Sequence, residues 1–468
     1  MAKGNSLFGL IQMMEGAGGS LRNPEIVLNN LASKSSKQHY VYERMYHYLY
    51  NPAFYLMAYS NLTNKKAKPE KQRNEKSIEA VISQLIGRLR DESYHPIARD
   101  KLCFQATDQD VLLLEVVRLL LDAMYENEFF PASHGFRENR NCHTALTYVQ
   151  QHFAETTWFI SGELESIYFG MNNHILIKIL ERRIRDMKFI RLIWKLLKAG
   201  YAGDWTYHKT YSGTPIGGFL SPIFANIYLH EFDQFISNYQ EKHLKLSYCR
   251  YADAFLIGVT GSKKDCLAVK SAVSNFLSQH LKLPLSEKIG QITHNKEKVR
   301  FLGYDIAITK VNSGGLRKCA LFVPYEKWLK LLLEYHALKI EKDGTWKAVH
   351  RTYLKDCNDV DIFRIYNAEM SALFNYYQLA ENVSSLQSFS HFMKYSLCKT
   401  FANKYKSTVR KMLKKYHVNG RLAIKNDSEI IYFFHNGTNR KASIFANMEV
   451  DRRPETLSKK GRMRLLKK

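Results

Sequence analysis

Apolar residues recur at helical spacing over Ile78, Val81, Ile82, Leu85, Ile86 and Leu89, and again from Val111 to Tyr125, which predicts two amphipathic helices. The stretch between them, Ala98 to Asp110, is short and contains neither glycine nor proline. From residue 133 to 306 strands and helices alternate. Trp158 to Glu165 reads as a strand. The helix after it carries Ile175, Leu176, Ile179, Leu180 and Ile184 on one face, with Arg182, Arg183, Arg185 and Lys188 on the others. Gly213 to Gly218 is a loop and Leu220 to Phe235 a helix. Ser247 to Gly258 then forms two short strands joined at a tight turn, Tyr251-Ala252-Asp253-Ala254. A helix over Asp265 to Leu281 and a strand over Val299 to Ile306 follow. This alternation predicts an α+β fold with an antiparallel sheet. Beyond residue 325 the pattern turns helical and basic, with Val360 to Ala380, Val383 to Phe401 and Asn403 to Tyr416 forming a predicted bundle. At the other end, residues 1–40 read as a loose arm with one or two short helices. Tyr40 to Tyr59 reads as one helix that packs an aromatic face into the core, and 63–76 as an exposed charged loop.

Composition changes the picture mainly through charge. The 468 residues carry 69 Lys and Arg against 44 Asp and Glu, a formal charge of +25. Such an excess repels itself in a compact chain, so a polyanionic partner is the natural reason to carry it. The many aromatics make nucleic acid a better partner than a membrane. A hydrophobic content of 45% is that of a folded protein, and the length suffices for roughly two or three packed cores. No two of the seven cysteines have Cys-x-x-Cys spacing, so neither a zinc knuckle nor a redox motif is supported, and their odd count and wide spacing fit a reducing compartment. The most apolar run, Val111 to Met124, is interrupted by Glu115, Arg118 and Asp122, so no membrane span is expected. Neither a secretory signal nor a transit peptide is legible at the N-terminus, and the expected compartment is a bacterial cytoplasm or an organelle matrix or stroma.

Three sequence blocks in fixed order give the chain its kinship. The first runs Ser133-His134-Gly135-Phe136-Arg137, then Asn139-Arg140-Asn141-Cys142-His143-Thr144-Ala145-Leu146. The second is Gly213-Thr214-Pro215-Ile216-Gly217-Gly218 with Leu220-Ser221-Pro222-Ile223-Phe224-Ala225-Asn226. The third is Phe301-Leu302-Gly303-Tyr304-Asp305-Ile306. With the Tyr-Ala-Asp-Ala turn between the last two, the series resembles the second, fourth and seventh blocks of group II intron reverse transcriptases, over roughly residues 40 to 468. The resemblance implies a right-hand reverse-transcriptase fold, with fingers and a palm built on an antiparallel sheet, then a helical thumb or maturase domain and a small basic C-terminal segment. The implied boundaries are an arm over 1–40, fingers and palm over 41–325, the thumb over 326–420 and the basic segment over 421–468.

Templated polymerisation needs carboxylates that hold two Mg²⁺ ions on the reacting phosphate. The family supplies one Asp from the first palm strand and two from the turn. Here Glu163 stands at the first position, Asp253 is kept, and Ala254 replaces the third acid. Glutamate's extra methylene lengthens the arm by about 1.5 Å, which matters to an ion that demands near-ideal octahedral geometry. Glu165 lies two residues on, along the same strand face, and could supply a carboxylate. The nucleotide site departs too. Ile216, beside Gly217, replaces the family's Gln, and Tyr168 keeps the aromatic of the ribose gate while Phe169 replaces the Asp next to it. The basic Gly- and Pro-rich finger hairpin is unrecognisable over Ala98 to Asp110, and the Gly-Val-Asp-Gly block expected near 65–75 is missing. Mg²⁺ is therefore the implied cofactor only of residual polymerisation.

Downstream, Ile365-Tyr366-Asn367-Ala368-Glu369, Leu373-Phe374-Asn375-Tyr376-Tyr377-Gln378-Leu379-Ala380 and Lys399-Thr400-Phe401-Ala402-Asn403-Lys404 resemble the family's thumb, which docks on intron RNA. Lys406, Arg410 and Lys414 at i, i+4 spacing predict a positive stripe on the final helix. Together with Arg137, Arg140, Lys399 and Lys404 they are the candidate RNA contacts. Residues 420–468 resemble the family's DNA-binding segment, so a DNA target is a further partner the resemblance allows. The absence of Cys after 398 is read as absence of the Cys-paired endonuclease, and His435 as a loop residue. The expected function is a maturase that binds group II intron RNA and promotes its folding and splicing. Two alternatives stand beside it: an active RNA-directed DNA polymerase for intron mobility or DNA repair, and a repurposed defence or RNA-chaperone protein.

Overall fold

Val111, Leu112, Val116, Leu120 and Met124 are all buried on the helix Gln109–Tyr125, which makes this helix an axis of its part of the chain. The structure, a computed structural model, describes residues 22–37, 40–64, 75–96, 99–100, 108–164, 167–199, 201–203, 206–208, 220–239, 244–283, 290–310, 316–426 and 429–434. The chain divides into two compact units interleaved along the sequence: 1–136 with 163–241 and 267–290, and 137–162 with 242–266 and 291–468.

In the first unit the helices Pro24–Ser35, Pro52–Asn64 and Ser221–Asn238 pack against Gln109–Tyr125. The charges that interrupt its apolar run satisfy one another. Arg118 donates to both Glu115 oxygens at 2.8 and 2.7 Å and pairs with Asp122 one turn on. The tyrosine-rich stretch is core, as expected, but it is two elements and not one. A 3-10 turn, Met45–Tyr50, ends at Asn51, and Pro52 opens a fresh helix because proline is tolerated only in a helix's first turn. Phe54 and Tyr55 are fully buried there, and the Tyr55 hydroxyl donates to the Leu49 carbonyl at 2.9 Å. The basic helix expected through Lys188 also breaks. It stops at Glu181; Ile184 bridges Tyr42; and Asp186 caps a second helix, Met187–Lys198, by accepting from the backbone of Lys188 and Phe189.

The second unit contains a four-stranded sheet in the order Lys245–Tyr251, Ala254–Thr260, Trp158–Glu163, Gln291–His294. The two outer pairings are antiparallel. Gly258 is required where this sheet meets the end of the helix Cys142–His152: a Cβ there would lie 2.3 Å from Thr156 Oγ1 and 2.9 Å from the Phe153 ring. The strand expected over Val299 to Ile306 is instead the start of a hairpin, Val299–Phe301 with Tyr304–Lys310. Leu302 and Gly303 both have positive φ, 48° and 77°, the backbone of a tight two-residue hairpin turn. Arg317–Phe322 completes this second sheet. The helices Tyr325–Glu334, Asp359–Tyr376, Leu386–Lys404 and Val409–Lys415 form the expected bundle. It shares one apolar core with both sheets, running from Phe159 and Leu256 through Ile306 to Tyr366, Leu373 and Phe401. Two small β elements were not expected: the hairpin Leu338–Ile340 with Trp346–Ala348, and a sheet of His417–Val418, Arg421–Asn426 and Glu429–Tyr432. Among the described residues no helix is long and apolar enough to cross a membrane.

Candidate functional site

The turn of the palm-like hairpin is short because the strands pair to their ends. Tyr251 stands opposite Ala254, leaving only Ala252 and Asp253 as the loop. Ala252 has φ 54°, a left-handed conformation that costs a non-glycine residue about 1 kcal/mol. Arg250, fully buried, braces it by donating from Nη1 to the Ala252 carbonyl at 2.9 Å. Asp253 is half-buried. Ala254 is 5% exposed and belongs to the apolar core with Cys249 and Leu256.

Glu163 is the exposed last residue of Trp158–Glu163, two positions beyond the last residue of that strand paired with Gln291–His294. It opens the second segment of the first unit, whereas Asp253 belongs to the second unit. Tyr168 lies half-buried on the helical turn Ile167–Gly170. Ile216, Gly217, Glu165 and residues 101–107 lie outside the described residues. Among the described residues, no three or more His, Cys, Asp or Glu side chains are grouped to hold a metal ion. At the three positions where the resemblance expects carboxylates, the chain offers an exposed glutamate, Glu163, a half-buried aspartate, Asp253, and a buried methyl group, Ala254.

The candidate RNA contacts divide. Arg137 is buried and Arg140 half-buried. Lys399 donates to the Ala348 carbonyl at 2.7 Å, and Lys404 donates to the Cys357 carbonyl at 2.6 Å and to Asp359 at 2.8 Å. The last two cations therefore hold the protein together. Lys406, Arg410 and Lys414 are exposed. They do not form the stripe that their spacing predicts, because Lys406 has φ 45° and precedes the Thr408 cap of Val409–Lys415. Only Arg410 and Lys414 share the helix. Lys411, Lys415, Arg421 and Lys425 are also exposed nearby and were not anticipated.

The bundle also holds a buried polar network. Arg351, fully buried, donates to Glu369 at 2.6 Å, and its guanidinium lies 4.1 Å from the centre of the Tyr366 ring. The Tyr366 hydroxyl meets Ser396 at 2.8 Å and Thr400 at 3.1 Å. Burial opposes the charge on Arg351, but Glu369 prevails and holds its pKa above the usual arginine value. Asp359 behaves similarly. Burial pushes its pKa up, but hydrogen bonds from Lys404, Tyr405 and Tyr416 outweigh this and hold it below the usual aspartate range. Sequence reasoning quoted Tyr366, Glu369, Thr400 and Lys404 as motif residues but missed their partners Arg351 and Asp359. A lone Arg in a loop gives no periodic signal.

Residues 106–306 match the family described as reverse transcriptase (RNA-dependent DNA polymerase), and residues 318–459 match type II intron maturase. The group II intron-encoded protein LtrA of Lactococcus lactis subsp. cremoris is 34% identical over 480 residues, covering 84% of this chain and 80% of the relative. The putative COX1/OXI3 intron 2 protein of Saccharomyces cerevisiae is 26% identical, covering 81% and 53% of the two chains. Nuclear intron maturase 2, mitochondrial, of Arabidopsis thaliana is 23% identical, covering 66% and 54%.

Proposed function

The chain belongs to the group II intron-encoded proteins and carries both their reverse-transcriptase and type II intron maturase segments, and from that premise we propose that it works as a maturase whose polymerase centre no longer acts. It binds the RNA of a group II intron and stabilises the splicing-competent fold, while the RNA performs the transesterification. Binding accelerates splicing by shifting the RNA's conformational population, which requires tighter affinity for the active fold than for its competitors.

One observation carries the reading: a chain with a type II intron maturase segment presents a buried methyl group, Ala254, where polymerisation needs a carboxylate. In this reading 1–40 is an arm, 41–325 a fingers-and-palm platform, 326–420 the RNA-docking thumb and 421–468 a basic segment that also allows a DNA target. Arg410 and Lys414 contact phosphates directly, and Lys399 and Lys404 shape the surface that carries them. Retained polymerisation would need Mg²⁺. The compartment is a bacterial cytoplasm or an organelle interior.

The test pairs two assays on the full chain. Primer extension with Mg²⁺ or Mn²⁺ is expected to give no templated product, and stimulation of splicing is expected to survive Asp253→Ala. Extension abolished by Asp253→Ala would overturn the reading in favour of an active polymerase, the alternative that the match over 106–306 supports. Equal affinity for unrelated structured RNAs would overturn the preference for one intron.

A further inference from the structure

Where the helix Leu386–Lys404 ends, the chain surrounds an open pocket of about 870 Å³. Its walls are the start of Asp359–Tyr376 and the residues just before it, Lys404 and Tyr405, the end of Val409–Lys415 and two strands of the small C-terminal sheet. Tyr405 and Tyr416 both donate to Asp359 Oδ2, at 2.5 and 2.7 Å, and Lys404 donates to Oδ1 at 2.8 Å. The Asp359 charge is thus satisfied within the protein, and both phenol rings are fixed in place by their hydroxyls. Tyr416 is buried and stacks on Phe401 at 4.5 Å. Tyr405 is different: its hydroxyl is tied, yet 42% of the residue is exposed. The Lys415 ammonium lies 4.3 Å from the centre of the Tyr405 ring, and Lys425 reaches the same pocket from the strand Arg421–Asn426. Both lysines are exposed.

A wetted aromatic ring held in place, with two exposed ammonium groups beside it, has the chemistry of a nucleotide subsite. The volume lies in the range of pockets that enclose a small organic molecule. The geometry points to a subsite for one unstacked nucleotide of single-stranded RNA, its base against Tyr405 and its phosphate between Lys415 and Lys425. Resting on the maturase reading, it adds a discriminating element to a basic surface. Arg410 and Lys414 attract any phosphate backbone, duplex or single-stranded. A base can reach Tyr405 only from a strand whose nucleotide is free to leave its stack, such as a loop or a bulge.

The test uses the full chain with fluorescein-labelled heptauridylate, a blunt RNA duplex of the same length, uridine monophosphate and a group II intron RNA. Tyr405→Ala is expected to weaken heptauridylate about tenfold, in keeping with loss of one base–aromatic stack. Tyr405→Phe, which keeps the ring, should restore most of the affinity. Lys425→Glu should weaken heptauridylate several-fold, and neither Tyr405 variant should alter duplex binding. Heptauridylate carrying 4-thiouridine should photocrosslink the wild-type protein within the peptide holding Tyr405. Unchanged heptauridylate binding by both Tyr405→Ala and Lys425→Glu would overturn the proposal, as would a crosslink confined to another part of the chain. If Tyr405→Ala fails to fold, Lys425→Glu and the wild-type crosslink decide. Uridine monophosphate that competes as well as heptauridylate would overturn assignment to a polymer. Tyr405-dependent heptauridylate binding without preference for intron RNA would overturn the maturase reading alone. Intron binding intact, with heptauridylate indifferent to every variant, would overturn the pocket alone.

Discussion

The hairpin turn and the helical bundle share one unit and one apolar core, yet their family motifs have met opposite fates. At the turn the fold is intact, and on the proposed reading the chemistry is reduced. Its strands pair in full register, Gly258 allows a close approach that any Cβ would block, and Arg250 braces the Ala252 carbonyl. What is missing is the oxygen at 254. In the bundle, residues of the motifs are used inward: Tyr366, Glu369 and Thr400 belong to a buried network around Arg351, Lys404 pairs with part-buried Asp359, and Lys399 braces the Ala348 carbonyl. A motif can therefore persist because the fold needs it, while the residues that meet the partner lie outside the motif. On the proposed reading, the exposed cations from Lys406 to Lys425 are of that second kind.

The sharpest way to break this comparison is at Arg351. Removing one partner of a buried ion pair leaves the other charged and unsatisfied, a cost of about 3–5 kcal/mol. Arg351→Met is expected to shift the denaturant midpoint of the full chain far enough to abolish splicing stimulation. Asp253→Ala should leave that stimulation intact. If Arg351→Met unfolds at the wild-type midpoint, the network is not what holds the bundle.

Asp359 comes next. Asp359→Asn weakens three hydrogen bonds at once and is expected to cost about 1–3 kcal/mol. Its pH dependence has a definite sign. The folded-state pKa is depressed, so the stabilisation is fully present above the ordinary value of 3.8 and is lost as pH falls through the lower folded value. Acid unfolding below about pH 4 should therefore come at higher pH in Asp359→Asn than in the wild type. Coincident acid transitions would remove Asp359 from the network.

How much of this was legible depended on whether the signal was periodic or geometric. The helices over 75–90, 109–125 and 221–238 follow from apolar spacing, and the palm-like hairpin from its alternating strands around the turn. The breaks were harder. Pro52 divides a tyrosine-rich run whose composition is uniform, and Leu302-Gly303 makes a tight turn without the Asn-Gly or Asp-Gly pair that announces one. Strands of two to six residues at 417–432 are too short to show a period. At the site, residue types were legible and orientations were not. Lys399 and Lys404 look like phosphate ligands until their ammonium groups are seen to point at carbonyls.

That distinction gives the remaining pair of predictions. Lys399→Ala removes the donor to a part-buried carbonyl and is expected to cost about 1 kcal/mol, read as a lower melting temperature. On the proposed reading the salt dependence of RNA binding should be unchanged, because the Lys399 ammonium serves as a brace to the Ala348 carbonyl and not as a phosphate ligand.

Arg410→Ala with Lys414→Ala should behave in the opposite sense. Both side chains are exposed on one short helix, and the buried anchor of that helix, Met412, points the other way. Truncating them removes no internal hydrogen bond shown for either residue, so stability should change by less than about 0.5 kcal/mol. For every phosphate that is no longer neutralised, the slope of log K against log salt should instead flatten by about 0.7–0.9, and should do so alike for intron RNA and for unrelated RNA. The two measurements together locate each cation. A change in stability without a change in slope marks a brace, and a change in slope without a change in stability marks a phosphate ligand. If Lys399→Ala flattens the salt slope and the Arg410, Lys414 pair lowers the melting temperature, the division between motif and surface is reversed.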